Sequence, residues 1–188
     1  MAVIDALPKV PAFLSRGPVE SRRSHEPNRV LATVLFTDLV DSTAHVVGLG
    51  PRWAELLREH NARIRRILAR HSGRTIDTAG DGFFASGFDL PTQAIECACS
   101  ILTAVTELGL RVRIGIHTGE CELIEGKPGG VAVVVGARLA AQAEEGEVLV
   151  SGTVKDIVAG SGIEFEARGP RTLKGLGEWP VYAVASAR

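Results

Sequence analysis

The stretch RTIDTAGDGFFASGF (74–88) decides the fold. It joins two runs rich in β-branched and aromatic residues through a Gly-Asp-Gly turn, which is typical of a β-hairpin. Apolar residues at helical spacing lie on both sides of the hairpin and predict one helix over 51–72 and another over 91–108. Beyond these helices, the apolar runs VLATVLF (30–36) and RVRIGIHTG (111–119) are predicted to be strands.

The predicted order is therefore β-α-β-β-α-β, which indicates an α/β protein, an α+β sandwich with a ferredoxin-like core. RVRIGIHTG alternates apolar and polar residues, as a half-buried strand does. Extra C-terminal elements follow: a helix rich in small residues (131–143), a strand (147–151), a short helix, and two late strands that include 163–168 and 180–184. Because such a core supports many activities, function has to be argued from a site.

Composition limits the class of protein. Hydrophobic residues make up 45% and charged residues 23% of the chain, which is typical of a globular protein. Residues 1–29, rich in proline and arginine, are predicted to be a linker or N-terminal extension, which leaves 30–188 as one domain. The net charge of −1 provides no basic surplus for nucleic-acid binding, and the nine aromatic residues are few for an RNA-binding domain.

The location of the protein is also predicted from composition. No apolar run reaches the roughly 18 residues that a membrane span needs, and the first residues lack the pattern of a signal peptide. The three cysteines match neither a zinc motif nor a disulfide framework. We therefore expect a cytoplasmic domain without membrane contact and with free thiols.

Two aspartates are the candidates for chemistry. Asp38 ends an apolar strand, and Ser42 and Thr43 after it begin a turn whose free N–H groups can hold phosphate. Asp81 lies at the tip of the hairpin, and the predicted topology brings both carboxylates to one edge of the sheet. Alone, either residue is explained by capping or turn chemistry. Together, they are typical of a site that holds divalent cations against the phosphates of a nucleotide.

Six strings of sequence, occurring in order, resemble the bacterial branch of the class III adenylyl and guanylyl cyclases. The resemblance extends from residue 30 to the C-terminus and implies the nucleotide cyclase fold. The strings are FTDLVDST (36–43), GDGF (80–83), RIGIHTGE (113–120), GGVAVVVGARLAA (129–141), GEVLVS (146–151) and LKGLGEW (173–179).

The resemblance implies a role for each matching residue near the two aspartates. Asp38 and Asp81 match the family's metal-binding aspartates, which hold two divalent cations, Mg²⁺ or Mn²⁺. The carbonyl of Leu39 is implied as an additional ligand, and the turn through Ser42 and Thr43 as the segment that wraps the triphosphate. The implied reaction is the conversion of ATP into 3′,5′-cyclic AMP and pyrophosphate, with GTP as the other candidate substrate.

The resemblance also implies a second subunit. Arg138 matches the arginine that stabilises the transition state, and Lys174 matches a lysine that contacts the terminal phosphates. In this family the two halves of each site come from different chains. The expected partner is therefore a second copy of the chain, or another cyclase chain in a heterodimer.

Three positions depart from the family pattern. Asp77 replaces the lysine that reads adenine, and Lys127 replaces the aspartate, so the two charges are exchanged. Val134 replaces an asparagine that donates a hydrogen bond in the transition state, a loss that typically costs on the order of 10²–10³ in rate. We expect weak activity and weak base selectivity. The alternative is a cyclase-homology domain without catalysis, acting as a nucleotide-binding or partner-binding regulatory module.

Smaller predictions concern three other residues. His117 is expected to be a hydrogen-bonded histidine of the strand and not a metal ligand. Trp179 is expected to pack a late strand. Asp41 is expected to cap the turn and not to bind a cation.

Overall fold

The structure is a computed structural model that describes residues 28–187, so most of the predicted linker, residues 1–29, lies outside the described residues. The strands are β1 (Arg29–Leu39), β2 (Arg74–Ala79), β3 (Gly82–Ser86), β4 (Val112–Ile124), β5 (Lys127–Gly129), β6 (Val148–Ser151), β7 (Glu164–Leu173) and β8 (Gly177–Ser186). The helices are α1 (Ser42–Leu49), α2 (Pro51–Arg70), α3 (Pro91–Thr106), α4 (Val131–Gln142) and α5 (Gly152–Ile157).

The strands form a single mixed sheet in the order β2-β3-β1-β4-β6-β8-β7, with β5 paired to β4. The pairing of β4 with β6 is parallel, and the other pairings are antiparallel. The predicted βαββαβ core is confirmed as β1, α2, β2, β3, α3 and β4. The sheet therefore places β1 between β3 and β4, with the β2–β3 hairpin at its side.

Helices cover both faces of the central strands. Ile64 and Leu68 of α2 and Ile95 and Ile101 of α3 are fully buried in the largest apolar cluster. On the opposite face α4 lies so close to β4 that a Cβ on Gly115 would be 2.1 Å from the backbone nitrogen of Ala140. Glycine at that position is therefore a condition for the α4–β4 contact.

The strand predicted at 111–119 is confirmed as part of β4, but the prediction that it is half-buried was wrong. The residues from Ile114 to Thr118 are all buried, because α3 packs against β4 from one face and α4 from the other. His117 on the strand is hydrogen-bonded, as predicted: Nδ1 lies 2.7 Å from the hydroxyl of Ser151. Its ring edge meets Trp179, which packs against it, and burial lowers the pKa of His117 to about 4.

Some local features differ from expectation. Asp41 occupies the position before α1 with a left-handed backbone (φ 55°), but its side chain makes no capping hydrogen bond, so the predicted cap is wrong. The helix α1 that follows buries none of its residues.

Cys97 and Cys121 are buried free thiols, as predicted. Within residues 28–187, no helix is both long enough and apolar enough to cross a bilayer.

Candidate active site

Asp38 and Asp81 lie at the same end of the strands, where β1 ends and the β2–β3 hairpin turns. We call this region the carboxylate edge. In the register of β1 with β3, Thr37 pairs with Phe83, and the backbone N–H of Phe83 donates to the Thr37 hydroxyl at 3.1 Å. Asp38 is one residue beyond this pair on β1, and Asp81 is two residues before it on the hairpin. Antiparallel pairing therefore brings the strand end and the hairpin tip together, as the sequence predicted.

An open groove of about 770 Å³ lies beside Asp38, between the end of β1 and α1. Its lining includes Asp38, Leu39, Ser42 and Thr43, all of which the sequence proposed for the cation and triphosphate site. The volume is within the roughly 300–1,000 Å³ that is usual for small-molecule pockets. Since Ser42 and Thr43 begin α1, the first backbone N–H groups of that helix lie at the groove.

Arg113 is a residue of this groove that the sequence interpretation did not identify as functional. Its Nε donates to Oδ2 of Asp38 at 2.8 Å, and its Nη2 donates to the same oxygen. The contact arises from the register, because Arg113 on β4 is the direct cross-strand partner of Asp38. Only that register, and no local motif, could have revealed the pair.

Asp81 has a different environment. Its Oδ2 is buried and has no hydrogen-bond partner among the residues that the structure describes. His60 of α2 is fully buried nearby, and its Nδ1 lies 3.0 Å from Oδ1 of Asn61. Burial lowers the pKa of His60, against the opposing effects of the Asn61 hydrogen bond and of the Asp81 charge. The sequence signal for His60 was its place on the apolar stripe of α2.

The carboxylate edge fits divalent cations. A buried carboxylate oxygen without a donor is costly unless a positive charge meets it. Both contacts from Arg113 go to one oxygen of Asp38, Oδ2, and not to Oδ1. Between residues 28 and 187, no group of three or more His, Cys, Asp or Glu side chains could hold a metal ion. Mg²⁺ is usually bound by one or two carboxylates, with phosphate and water oxygens as its remaining ligands.

Asp77 and Lys127, which we call the base-recognition pair, form an ion pair with 3.9 Å between Nζ and Oδ2. Their side chains are 69% and 60% exposed. The two residues whose charges are exchanged relative to the family pattern therefore contact each other.

Three other predicted positions lie outside the groove. Arg138 of α4 and Lys174 of the β7–β8 turn are exposed, and neither lines the groove at Asp38. Val134 of α4 is 40% exposed and is not a core residue. One copy of the chain therefore lines the groove with Asp38, Leu39, Ser42 and Thr43, and the α4 and β7–β8 residues lie outside it. Asp81, at the hairpin tip next to the end of β1, does not line the groove either.

Comparison with protein families gives a match over most of the chain. Residues 25–186 match the model described as "Adenylate and Guanylate cyclase catalytic domain". Among solved structures, the adenylyl cyclase CyaB from P. aeruginosa has a TM-score of 0.78 at 21% identity, covering 85% of this chain and 96% of that chain. An adenylate/guanylate cyclase/hydrolase from Silicibacter pomeroyi has a TM-score of 0.69 at 28% identity, covering 85% and 99%.

Curated relatives are longer proteins. An uncharacterized protein of Mycobacterium tuberculosis is 35% identical over 101 residues, which are 52% of this chain and 40% of that protein. A Rhizobium meliloti protein named "Putative adenylate cyclase 3" is 27% identical over 172 residues, which are 82% of this chain and 28% of that protein. The chain thus spans less than half the length of either relative.

Proposed function

The chain belongs to the adenylate and guanylate cyclase catalytic domain family, and on that basis we propose that it converts ATP, in preference to GTP, into a 3′,5′-cyclic nucleotide and pyrophosphate. The main support is the carboxylate edge, where β1 and the hairpin bring Asp38 and Asp81 together beside an open groove. The name of the Rhizobium meliloti relative supports ATP as the substrate.

We assign the binding of two divalent cations to Asp38 and Asp81, with the carbonyl of Leu39 as an additional ligand. When bound, such cations lower the pKa of the ribose 3′-hydroxyl and offset the charge of the phosphates. The backbone N–H groups at Ser42 and Thr43 then hold the triphosphate, since the start of a helix attracts anions.

We assign charge stabilisation to Arg138 and Lys174. A guanidinium directed at the α-phosphoryl oxygens offsets the charge that builds up there as the 3′-oxygen attacks. Lys174 neutralises the terminal phosphates, which leave as pyrophosphate.

The site is completed by a second chain in this proposal. Arg138 and Lys174 do not line the groove that contains Asp38 in their own chain. Exposed apolar residues on α1 and α4, including Val47 and Val131, provide a surface that association can bury. The partner is a second copy or another cyclase chain, so activity rises with protein concentration until the dimer is saturated.

A second candidate function rests on different observations. Arg113 is paired with Asp38, Val134 donates no side-chain hydrogen bond, and the base-recognition pair is neutralised internally. These features also suit a domain that binds nucleotide or a partner cyclase and regulates it without catalysis. The first function, with weak activity, agrees better with the buried and unpartnered oxygen of Asp81.

The test is cyclic nucleotide formation by the purified chain, at high protein concentration, with Mn²⁺ and either ATP or GTP. We expect product from ATP in excess of product from GTP, lost on chelation and lost in Asp38→Ala. The matched control is Asp89→Ala, which removes an exposed aspartate outside the groove and should leave the rate unchanged.

Two outcomes would contradict this assignment. Product that persists in Asp38→Ala would exclude the two-cation role of the carboxylate edge. No product from a folded, dimeric chain would favour the regulatory function, which is then tested by the binding of a labelled ATP analogue and by mixing with a partner cyclase.

A further inference from the structure

Two buried side-chain atoms have no hydrogen-bond partner within residues 28–187, and they belong to His60 and Asp81. They lie in the same part of the molecule. The centre of the His60 ring is 6.2 Å from the centre of the Phe83 ring. Phe83 lies near the start of β3, two residues after Asp81. The Asp81 charge also raises the pKa of His60, against the larger effect of burial. Neither the core packing nor the proposed assignments explain why His60 is buried there.

The chemistry of the free ring nitrogen follows from the other one. Nδ1 of His60 lies 3.0 Å from Oδ1, the side-chain amide oxygen of Asn61. An amide oxygen only accepts hydrogen bonds, so the ring proton belongs on Nδ1. Burial lowers the pKa of His60, because it disfavours the charged form of the ring. With its proton on Nδ1, the neutral ring has none on Nε2. Nε2 therefore presents a lone pair and accepts a hydrogen bond.

The two unpartnered atoms are thus both acceptors, and they cannot satisfy each other. A carboxylate oxygen and an imidazole lone pair are both satisfied by a hydrated cation, because the carboxylate binds the ion and the nitrogen accepts from one of its water ligands. Direct binding of the ion by His60 is not favoured, since no described group of three such side chains is placed to hold a metal.

We propose that His60 is a positioning residue for the cation site at Asp81: its Nε2 accepts a hydrogen bond from a water ligand of the cation that Asp81 binds. This inference rests on the proposed function, because it needs a cation at the carboxylate edge. It extends that function by adding a residue of α2, outside the family motifs that were used to assign the site. Asn61 takes part by holding the ring proton on Nδ1.

The experiment measures Mn²⁺ binding to the full chain without nucleotide, from the loss of the free Mn²⁺ signal in electron paramagnetic resonance. The variants are His60→Phe, His60→Gln and Asp81→Asn. Phenylalanine fills the ring site without an acceptor, whereas glutamine keeps an acceptor oxygen at about the reach of Nε2. Both remove the Nδ1 contact with Asn61, so they are matched apart from the acceptor.

Loss of an outer-shell partner typically costs about 10–100-fold in metal affinity. We expect His60→Phe to weaken Mn²⁺ binding by about 10-fold or more, His60→Gln to restore most of the loss, and Asp81→Asn to abolish binding at that site. A purely structural role for His60 would lower the thermal midpoint of both His60 variants without separating their Mn²⁺ affinities.

Asn61→Ala provides a milder variant if His60→Phe does not fold. It releases the ring proton to Nε2, which would then donate to Asp81 and compete with the cation, so Mn²⁺ binding should weaken several-fold. One outcome would overturn the role of His60 but not the cation site. In that outcome the folded His60 or Asn61 variants bind Mn²⁺ as tightly as the wild type, and Asp81→Asn abolishes binding. Unchanged binding in Asp81→Asn would overturn the cation site itself, and the inference with it.

Discussion

Asp81 of the carboxylate edge and Asp77 of the base-recognition pair lie four residues apart on one hairpin but in opposite environments. Asp81 places one carboxylate oxygen in the interior without a hydrogen-bond partner from the described chain. Asp77, on β2, is 69% exposed and has Lys127 as its ion-pair partner. An unpaired buried charge is costly, whereas an exposed ion pair contributes little. The two sites should therefore differ greatly in their response to the same change.

This difference also agrees with the family resemblance, in which Asp38 and Asp81 match the pattern and Asp77 and Lys127 depart from it. The carboxylate edge keeps both acids, and the register of β1 with β3 holds them together. The base-recognition pair has its charges exchanged, and the exposed ion pair that results has a small effect on folding. Folding alone therefore does not account for Asp81, whose unpartnered oxygen is costly without a ligand, while the exposed pair can change without loss of the domain.

The largest expected effect on the rate comes from changing aspartate to asparagine, which has the same shape, once in each region. Asp81→Asn removes a charge that the proposed cation needs, and loss of several kcal/mol of transition-state stabilisation lowers the rate by more than about 100-fold. Asp77→Asn removes an exposed charge whose ion pair contributes at most about 1 kcal/mol to folding, so we expect it to change the rate much less. Product formation with Mn²⁺ and ATP measures both.

The paired design has an internal control, since both variants lose one negative charge and keep the side-chain shape. Equal effects on the rate at the two positions would contradict the contrast between the regions. A larger effect at Asp77 would mean that base contacts, and not cations, limit the reaction.

The next effect is a gain in rate. Val134 is 40% exposed on α4, so Val134→Asn restores a hydrogen-bond donor without disturbing the core. Since loss of one such donor typically costs 10²–10³ in rate, we expect an increase in product formation of up to about 10²-fold.

Ala141→Asn, at another exposed position of the same helix, is the matched control and should give no gain. If Val134→Asn leaves the rate unchanged, Val134 does not explain weak activity. The ion pair of Arg113 with Asp38 would then be the next feature to test.

Much of the fold could be predicted because local pattern and packing agree. The hairpin at 74–88 has turn residues between two strands, and α2 and α3 have apolar stripes after an initial proline. Burial on β4 could not be predicted by alternation alone. Gly115 and His117 look small or polar in the sequence, but α4 covers Gly115, and Ser151 and Trp179 pack against His117. Whether helices cover one face of a strand or both depends on tertiary packing, which the pattern of a single strand does not reveal.

The residues of the candidate site also fall into two groups, those that the sequence could predict and those that it could not. Asp38 and Asp81 follow from motifs at the ends of elements, which sequence reveals directly. Arg113 and His60 do not, because one depends on the register of β1 with β4 and the other on how α2 lies under the hairpin tip. Arg113 is 75 positions from Asp38, and His60 is 21 positions from Asp81, and no short motif spans such separations.

The smallest expected effect concerns the base-recognition pair and the stability of the fold. Asp77→Ala, Lys127→Ala and the double variant, compared by urea unfolding, should give a coupling free energy of about 0–1 kcal/mol, because both side chains are largely exposed. Added salt should reduce that coupling further, since it screens exposed charges. A coupling above about 2 kcal/mol would contradict the exposed environment. The base-recognition pair would then belong with the carboxylate edge as a structural constraint, and its exchanged charges would need a structural cause.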